Sequence, residues 1–379
     1  MSSLLDFWLG LLSGKTNLKA EFTAAEWNQL YALAERHQLT ALFYWRLQNS
    51  TPPIFCAAEV FSRLRLAYLE AANKNLKRER ELGAALQALQ SKGLAPVLFK
   101  GAALAFTLYP SPACRSMGDL DLWLTGEEMS RAQIVLEQLG YFQRADEVRP
   151  VAWQIQREGE IQLYGTKPEQ EMIELHWGVF AGEWFYRTTN IDRDGIRARF
   201  MLVPIAKQSA LIMEPIDALI QVAAHIAIGN KMSGATVRSL MDVALLAHQV
   251  SDWDRLIERA QSWRLATLVG VVLEATDELF GLTEAQTAIA CLRPKWIRRT
   301  LLRHFINRDT ILAGQHWENR RRQWLILLAL IDRPRDMSAI LFRTFWPEPV
   351  WLEMCYEQSN LQVRLKHLLS AMTGKVKST

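Results

Sequence analysis

The segment Met117-Gly118-Asp119-Leu120-Asp121-Leu122-Trp123-Leu124 alternates polar and apolar residues, the pattern of a half-buried β-strand. Side chains two apart on a strand share a face. Asp119 and Asp121 therefore project together, within reach of one cation. Like charges held that close repel, and a divalent metal ion is the usual compensation. The segment thus requires a sheet with an acidic pair on one face.

The chain around this strand changes texture twice. Residues 1 to about 95 read as helical. Thr23-Ala24-Ala25-Glu26 is a capping box, and a long helix is predicted over Ala57 to Lys92, with Gly93 as its C-terminal cap. At Pro96 the pattern turns to short strands. Val97-Leu98-Phe99 leads into a tight turn at Lys100-Gly101, and a helix is predicted from Ala102 to Tyr109. Pro110 and Pro112 break that helix and open a loop to Gly118. Thr125-Gly126-Glu127-Glu128 is a second capping box, heading a helix that ends at Gly140. Val151 to Gln156, Ile161 to Tyr164 and Met172 to Trp177 are further strand candidates, and residues 183 to 205 read as strands and loops. From about Lys207 the helical pattern returns, beginning with Ala210 to Ile228. The predicted fold is α+β: a small mixed sheet of four or five strands with flanking helices, N-terminal helices and a large C-terminal helical region. The expected division is 1–95, 96–206 and 207–379.

Composition narrows the class. Of 379 residues, half are hydrophobic and 22% charged, which is ordinary for a globular chain large enough for two or three domains. The net charge of +4 argues against nucleic acid as a partner. The basic stretches Arg63 to Arg80, Arg293 to Arg308 and Arg320-Arg321-Arg322 read as solvated helix faces. Cys56, Cys114, Cys291 and Cys355 are too scattered for a zinc site or a disulfide framework. The start has no basic n-region or cleavage motif, and the longest apolar run, Trp324 to Ile331, is too short to span a membrane. A cytoplasmic location is expected, with no transmembrane segment. The 14 tryptophans read as core and interface packing. Nothing in the pattern specifies an oligomeric state.

Four features gather around the sheet. Gly101, next to a helix start, would let backbone N–H groups approach a phosphate. Arg115 lies in the loop before the acidic strand, where it or Lys100 would neutralise phosphate charge. Asp119 and Asp121 follow. Glu174 lies in Ile173-Glu174-Leu175-His176-Trp177, another alternating segment. Three carboxylates from two neighbouring strands can hold two divalent ions about 3.5–4 Å apart, the arrangement for in-line displacement at phosphorus. His176 reads first as a structural histidine. Asp217, His225 and Asp242 read as helix-surface or capping positions that alternatively face the cleft.

The motifs Leu98-Phe99-Lys100-Gly101-Ala102-Ala103-Leu104-Ala105, Leu108-Tyr109-Pro110, Arg115-Ser116-Met117-Gly118-Asp119-Leu120-Asp121-Leu122 and Ile173-Glu174-Leu175-His176-Trp177 resemble the bacterial uncharacterised nucleotidyltransferase family, within the DNA polymerase β-like superfamily. The likeness continues through Pro215-Ile216-Asp217-Ala218-Leu219, His225 and Leu240-Met241-Asp242-Val243, and so covers most of the chain from about residue 95. The resemblance implies a nucleotidyltransferase sheet with Asp119, Asp121 and Glu174 as catalytic metal ligands for two Mg²⁺ ions. It implies Lys100, Gly101, Arg115, Ser116 and Gly118 on the nucleotide side. The expected partners are an NTP, ATP included, and an acceptor that is a small molecule or a protein. One departure stands out: the wider superfamily has Ser or Gly after the loop glycine, and here that residue is Ala102. The alternative reading is therefore a nucleotide-binding or protein-interaction module with weak or no catalysis.

Overall fold

A computed structural model describes residues 2–15, 21–145, 159–167, 170–180, 182–233, 236–314 and 320–372. The expected strand over Val151 to Gln156 lies outside these. Four helices precede the sheet: α1 (Ser2–Leu12), α2 (Ala24–Arg36), α3 (Thr40–Gln48) and the 34-residue α4 (Ala58–Ser91). The Thr23–Glu26 capping box forms at the head of α2 as the spacing predicts.

Seven strands form one mixed sheet among the described residues: β1 (Val97–Leu98), β2 (Asp119–Trp123), β3 (Tyr141–Phe142), β4 (Glu160–Gly165), β5 (Met172–His176), β6 (Met201–Ile205) and β7 (Gln208–Ile212). Their order across the sheet is β3-β4-β5-β2-β1-β7-β6. The β2–β5 and β1–β7 pairs are parallel and the others antiparallel. Helix α5 (Lys100–Thr107) follows β1, and α6 (Met129–Gln138) follows β2.

The fold is α+β with a C-terminal helical region, as expected, but the sheet is larger than the four or five strands predicted. Residues 183 to 205 contribute two short helices, Glu183–Thr188 and Arg193–Ala198, before β6. The helical pattern expected from Lys207 begins only at Pro215, because Gln208–Ile212 is a strand. The turn joining β6 to β7 places both Ala206 and Lys207 in the left-handed region, at φ 52° and 63°. That matches the twist of a two-residue hairpin. Ala-Lys lacks the Asn or Gly that normally advertises such a turn, so the hairpin has no sequence signature. Gly83 of α4 lies against this turn. A Cβ there would sit 2.9 Å from the Ala206 carbonyl oxygen, so only glycine lets helix and hairpin approach this closely.

Period two divides the central sheet into two faces. Leu120 and Leu122 of β2, Ile173 and Leu175 of β5, and Ile161 and Leu163 of β4 bury against Leu82, Leu86 and Leu89 of α4 and Leu136 of α6. The opposite face carries Asp119 and Asp121, Glu174 and His176, and Glu160 and Gln162. A second, larger core runs from the N-terminal helices, through Trp8 and Trp27, to the C-terminal ones, through Leu240 and Leu268. Among the described residues no helix is long and apolar enough to cross a membrane.

Candidate active site

The parallel register of β2 and β5 sets Asp121 beside Glu174. Both are buried, Asp121 at 1% exposure and Glu174 at 7%. Three further groups close on them. Lys100 Nζ lies 2.8 Å from Asp121 Oδ1 and 3.9 Å from Glu174 Oε2. His176 Nε2 lies 3.0 Å from the same Asp121 oxygen and 3.5 Å from Glu174 Oε2. Gln162 Nε2 donates to Glu174 Oε1 at 2.9 Å. His176 also places Nδ1 3.1 Å from Glu160 Oε2, and its ring stands edge-on to Phe99 at 4.7 Å.

An imidazole with a carboxylate at each nitrogen is an imidazolium, since both nitrogens must donate. Burial opposes the charge on His176. Its hydrogen bonds to Asp121, Glu160 and Glu174 overcome that and push its pKa up to about 10. Burial likewise opposes ionisation of Asp121, but Lys100 and His176 hold its carboxyl below the usual range. Asp119, half-buried on the same strand face, has no such partner among the described residues. Burial first, then repulsion from Asp121 and Glu174, raises it to about 6. The cluster thus carries more negative charge than Lys100 and His176 compensate.

Side-chain atoms of Asp121, Glu174 and His176 lie within 4.8 Å of one another, and with His176 an imidazolium the two carboxylates are the ones with lone pairs to offer a metal ion. Asp121 Oδ2 is buried with no hydrogen-bond partner among the described residues. An orphaned carboxylate oxygen beside a second carboxylate, with Asp119 strained towards protonation on the same face, fits a hard divalent cation bound through oxygen. The convergent set differs from the expected trio. His176 lies inside it, and Asp119 sits at its edge.

The residues expected on the nucleotide side divide. Lys100, at φ 48° where β1 turns into α5, points its ammonium at the carboxylates. Arg115 turns away to Asp242 of the helix Thr236–Ala247, with Nη2–Oδ2 at 2.8 Å and Nε–Oδ1 at 3.3 Å. Its Nη1 donates to the Ser116 carbonyl at 2.8 Å. Gly101 makes room for this guanidinium, because a Cβ there would stand 2.8 Å from Arg115 Nη1. Asn75 of α4 pins the same loop, donating to the Arg115 carbonyl at 3.0 Å. A Cβ on Gly118 would meet nothing within 4 Å, so the loop stays open there.

All of these residues except Asn75, Phe99 and Gln162 line one cavity of about 840 Å³. That volume takes a nucleotide with room to spare. Its far walls come from distant sequence: Gln38 after α2, His225, and Arg238 and Asp242 of the helix Thr236–Ala247. His225 begins a π-helical turn, His225–Gly229, that continues the helix Pro215–Ala224. Such turns recur at functional sites. Burial, and next Lys100, lower its pKa to about 4, so this imidazole is neutral. Asp217 is elsewhere, paired with Arg199 and Arg259. Of the groups the sequence reading missed, Glu160 was within reach, since it shares the period-two face of Gln162. Gln38 and Arg238 carry no local signal.

No curated protein and no solved structure matches the chain. The family model of the uncharacterised nucleotidyltransferases does, over residues 23–281, well over half of the sequence. The match begins before α2, so it takes in Gln38 as well as the sheet and both helices behind the cavity. It extends further towards the N-terminus than the motif resemblance, which starts at about residue 95. The chain belongs to the uncharacterised nucleotidyltransferase family.

Proposed function

We propose that the protein is an Mg²⁺-dependent nucleotidyltransferase. It moves an NMP group from an NTP to a hydroxyl or phosphate oxygen of a small molecule or protein. The acceptor oxygen bonds to the α-phosphorus, the bond from that phosphorus to the bridging oxygen breaks, pyrophosphate leaves, and the acceptor proton goes to base. The observation that carries this reading is the register pairing of Asp121 with Glu174 under a nucleotide-sized cavity, with Asp121 Oδ2 lacking a hydrogen-bond partner among the described residues.

In this reading Asp119, Asp121 and Glu174 would hold two Mg²⁺ ions. Bound there, the ions supply Lewis-acid neutralisation of phosphate charge and a lowered pKa for the attacking hydroxyl. Lys100 and His176 keep Asp121 ionised at neutral pH. Arg115, tied to Asp242, holds the loop of Ser116 and Gly118 in front of the acidic strand. Gly101 keeps that tie possible.

The test is incubation of the protein with α-labelled NTPs, Mg²⁺ and candidate acceptors, beside Asp121→Ala. Label transfer by the wild type and its loss in the variant are expected. Transfer that survives the substitution sinks the assignment.

The Lys100–Asp121 contact favours a second reading, because an ammonium on the ligand carboxylate competes with a metal ion. Ala102, fully buried after Gly101, also offers no hydroxyl to a triphosphate. The protein would then bind nucleotide without turning it over. Calorimetry with ATP and Mg²⁺ separates the two: tight binding without transfer to any acceptor selects the binding module.

A further inference from the structure

Arg238 is a cation with no salt-bridge partner among the described residues. It lies in the first turn of the helix Thr236–Ala247, where the helix dipole disfavours positive charge. Its side chain lines the same cavity as the carboxylates. Nη1 donates to the Gln38 side-chain oxygen and, at 3.4 Å, to the Ser116 carbonyl. Both acceptors are neutral. Nε is buried and has no partner among the described residues.

The carboxylate on its own helix is bonded to other donors. Asp242 takes two bonds from Arg115 and one, at 2.7 Å, from the Tyr109 hydroxyl. Arg238 forms no ion pair with any carboxylate among the described residues. A guanidinium cannot shed its proton to escape this. A half-buried guanidinium with only neutral hydrogen-bond partners keeps its charge available to an anionic ligand that enters the cavity. The planar fork of Arg matches phosphate oxygens, which accept two parallel N–H bonds.

We propose that Arg238 anchors a phosphate subsite in the wall of the cavity that also holds the acidic strand, with the cavity-facing edge of its guanidinium donating to phosphoryl oxygens. Gln38 and the Ser116 carbonyl fix the other edge of the fork and so aim it. The assignment of the phosphate to a nucleotide or to an acceptor rests on the nucleotidyl-transfer reading; the subsite itself does not.

The test is calorimetry on wild type, Arg238→Gln and Arg238→Lys with three probes: ATP with Mg²⁺, tripolyphosphate, and inorganic phosphate. Loss of one charge-assisted fork should weaken the affected probe by about tenfold to hundredfold in the Gln variant, and less in the Lys variant. Weakened ATP and tripolyphosphate place the nucleotide tail on Arg238. Weakened inorganic phosphate with unchanged ATP places an acceptor phosphate there. Either outcome supports the subsite. Affinities within twofold of wild type for all three probes, or no binding of any probe to the wild type, overturn it.

Wild-type crystals soaked in tripolyphosphate give a second reading that does not depend on a variant folding. A phosphate oxygen within hydrogen-bond distance of the Arg238 guanidinium is expected, and phosphate bound only elsewhere overturns the proposal. The two readings fail separately. Arg238-dependent binding of tripolyphosphate without label transfer would remove the enzyme and keep the subsite. Label transfer undiminished in Arg238→Gln would do the reverse.

Discussion

Arg115 and Asp242 meet through two parallel hydrogen bonds, Nη2 to Oδ2 at 2.8 Å and Nε to Oδ1 at 3.3 Å, although 127 residues separate them in sequence. Both side chains are buried, and the Tyr109 hydroxyl shares the same carboxylate. This pair attaches the loop that precedes the acidic strand to the helix that closes the cavity. Removing one partner leaves a buried charge uncompensated, which typically costs about 3–5 kcal/mol. Asp242→Ala should therefore lower unfolding stability by about that amount. Arg115→Met combined with Asp242→Leu should recover much of the loss. Urea unfolding of the three proteins measures both, and a single variant within about 1 kcal/mol of wild type would contradict the pairing.

Gly101→Ala should damage the site without removing any functional group. The new Cβ would lie 2.8 Å from Arg115 Nη1 and 3.3 Å from Met117 Cγ. Arg115 cannot swing aside, being held by Asp242 and by the Ser116 carbonyl. Overpacking of this kind costs about 1–3 kcal/mol. A lower melting temperature and reduced nucleotide affinity are expected. A variant equal to wild type in both would show that the Arg115 position is soft.

His176 gives the metal-free protein an alkaline weakness. Its folded pKa is raised from 6.5 to about 10 by Asp121, Glu160 and Glu174 against the opposing effect of burial. A raised folded pKa contributes stability that is complete below the unfolded value and is lost as pH climbs through the folded one. In chelator, stability should fall between about pH 6.5 and 10, and His176→Gln should flatten that slope. Parallel slopes for the two proteins across this range would rule the linkage out.

Asp119 works in the opposite sense once a cation is present. Burial and the charges of Asp121 and Glu174 raise it to about 6, so in the metal-free protein its ionisation removes stability as pH rises through that value. A divalent ion would reverse the sign by binding the ionised form. Mg²⁺ at about a hundred times its dissociation constant adds about 2.7 kcal/mol. The rise in melting temperature with Mg²⁺ should be clear at about pH 8, smaller at about pH 5.5, and reduced in Asp119→Asn. An equal Mg²⁺ effect at both pH values would remove Asp119 from the metal site.

Legibility here depends on distance along the chain. The acidic strand and its partner are readable because period two is a local property of five residues. Spacing marks Asp119 and Asp121 as a pair on one face and places Glu174 in a second alternating segment. Glu160 obeys the same rule, two residues from Gln162, and needs only its strand extended by one position. The β6–β7 hairpin is not readable. Its turn is Ala206-Lys207, and nothing in those side chains announces a positive φ.

The sequence by itself determined which side chains share a sheet face, where the long helix α4 starts and stops, and which motifs mark the family. These follow from backbone periodicity and capping, which act over a few residues. Only the tertiary structure decided what each charge does. Lys100 reads as a phosphate ligand beside its glycine, yet in the fold its ammonium lies on Asp121, 21 residues away. Arg115 reads the same way and belongs to Asp242. Arg238, which has no motif, is a guanidinium that forms no ion pair among the described residues. Electrostatic partners are chosen by burial and by distance in space, and neither is written in the spacing of residues along a chain.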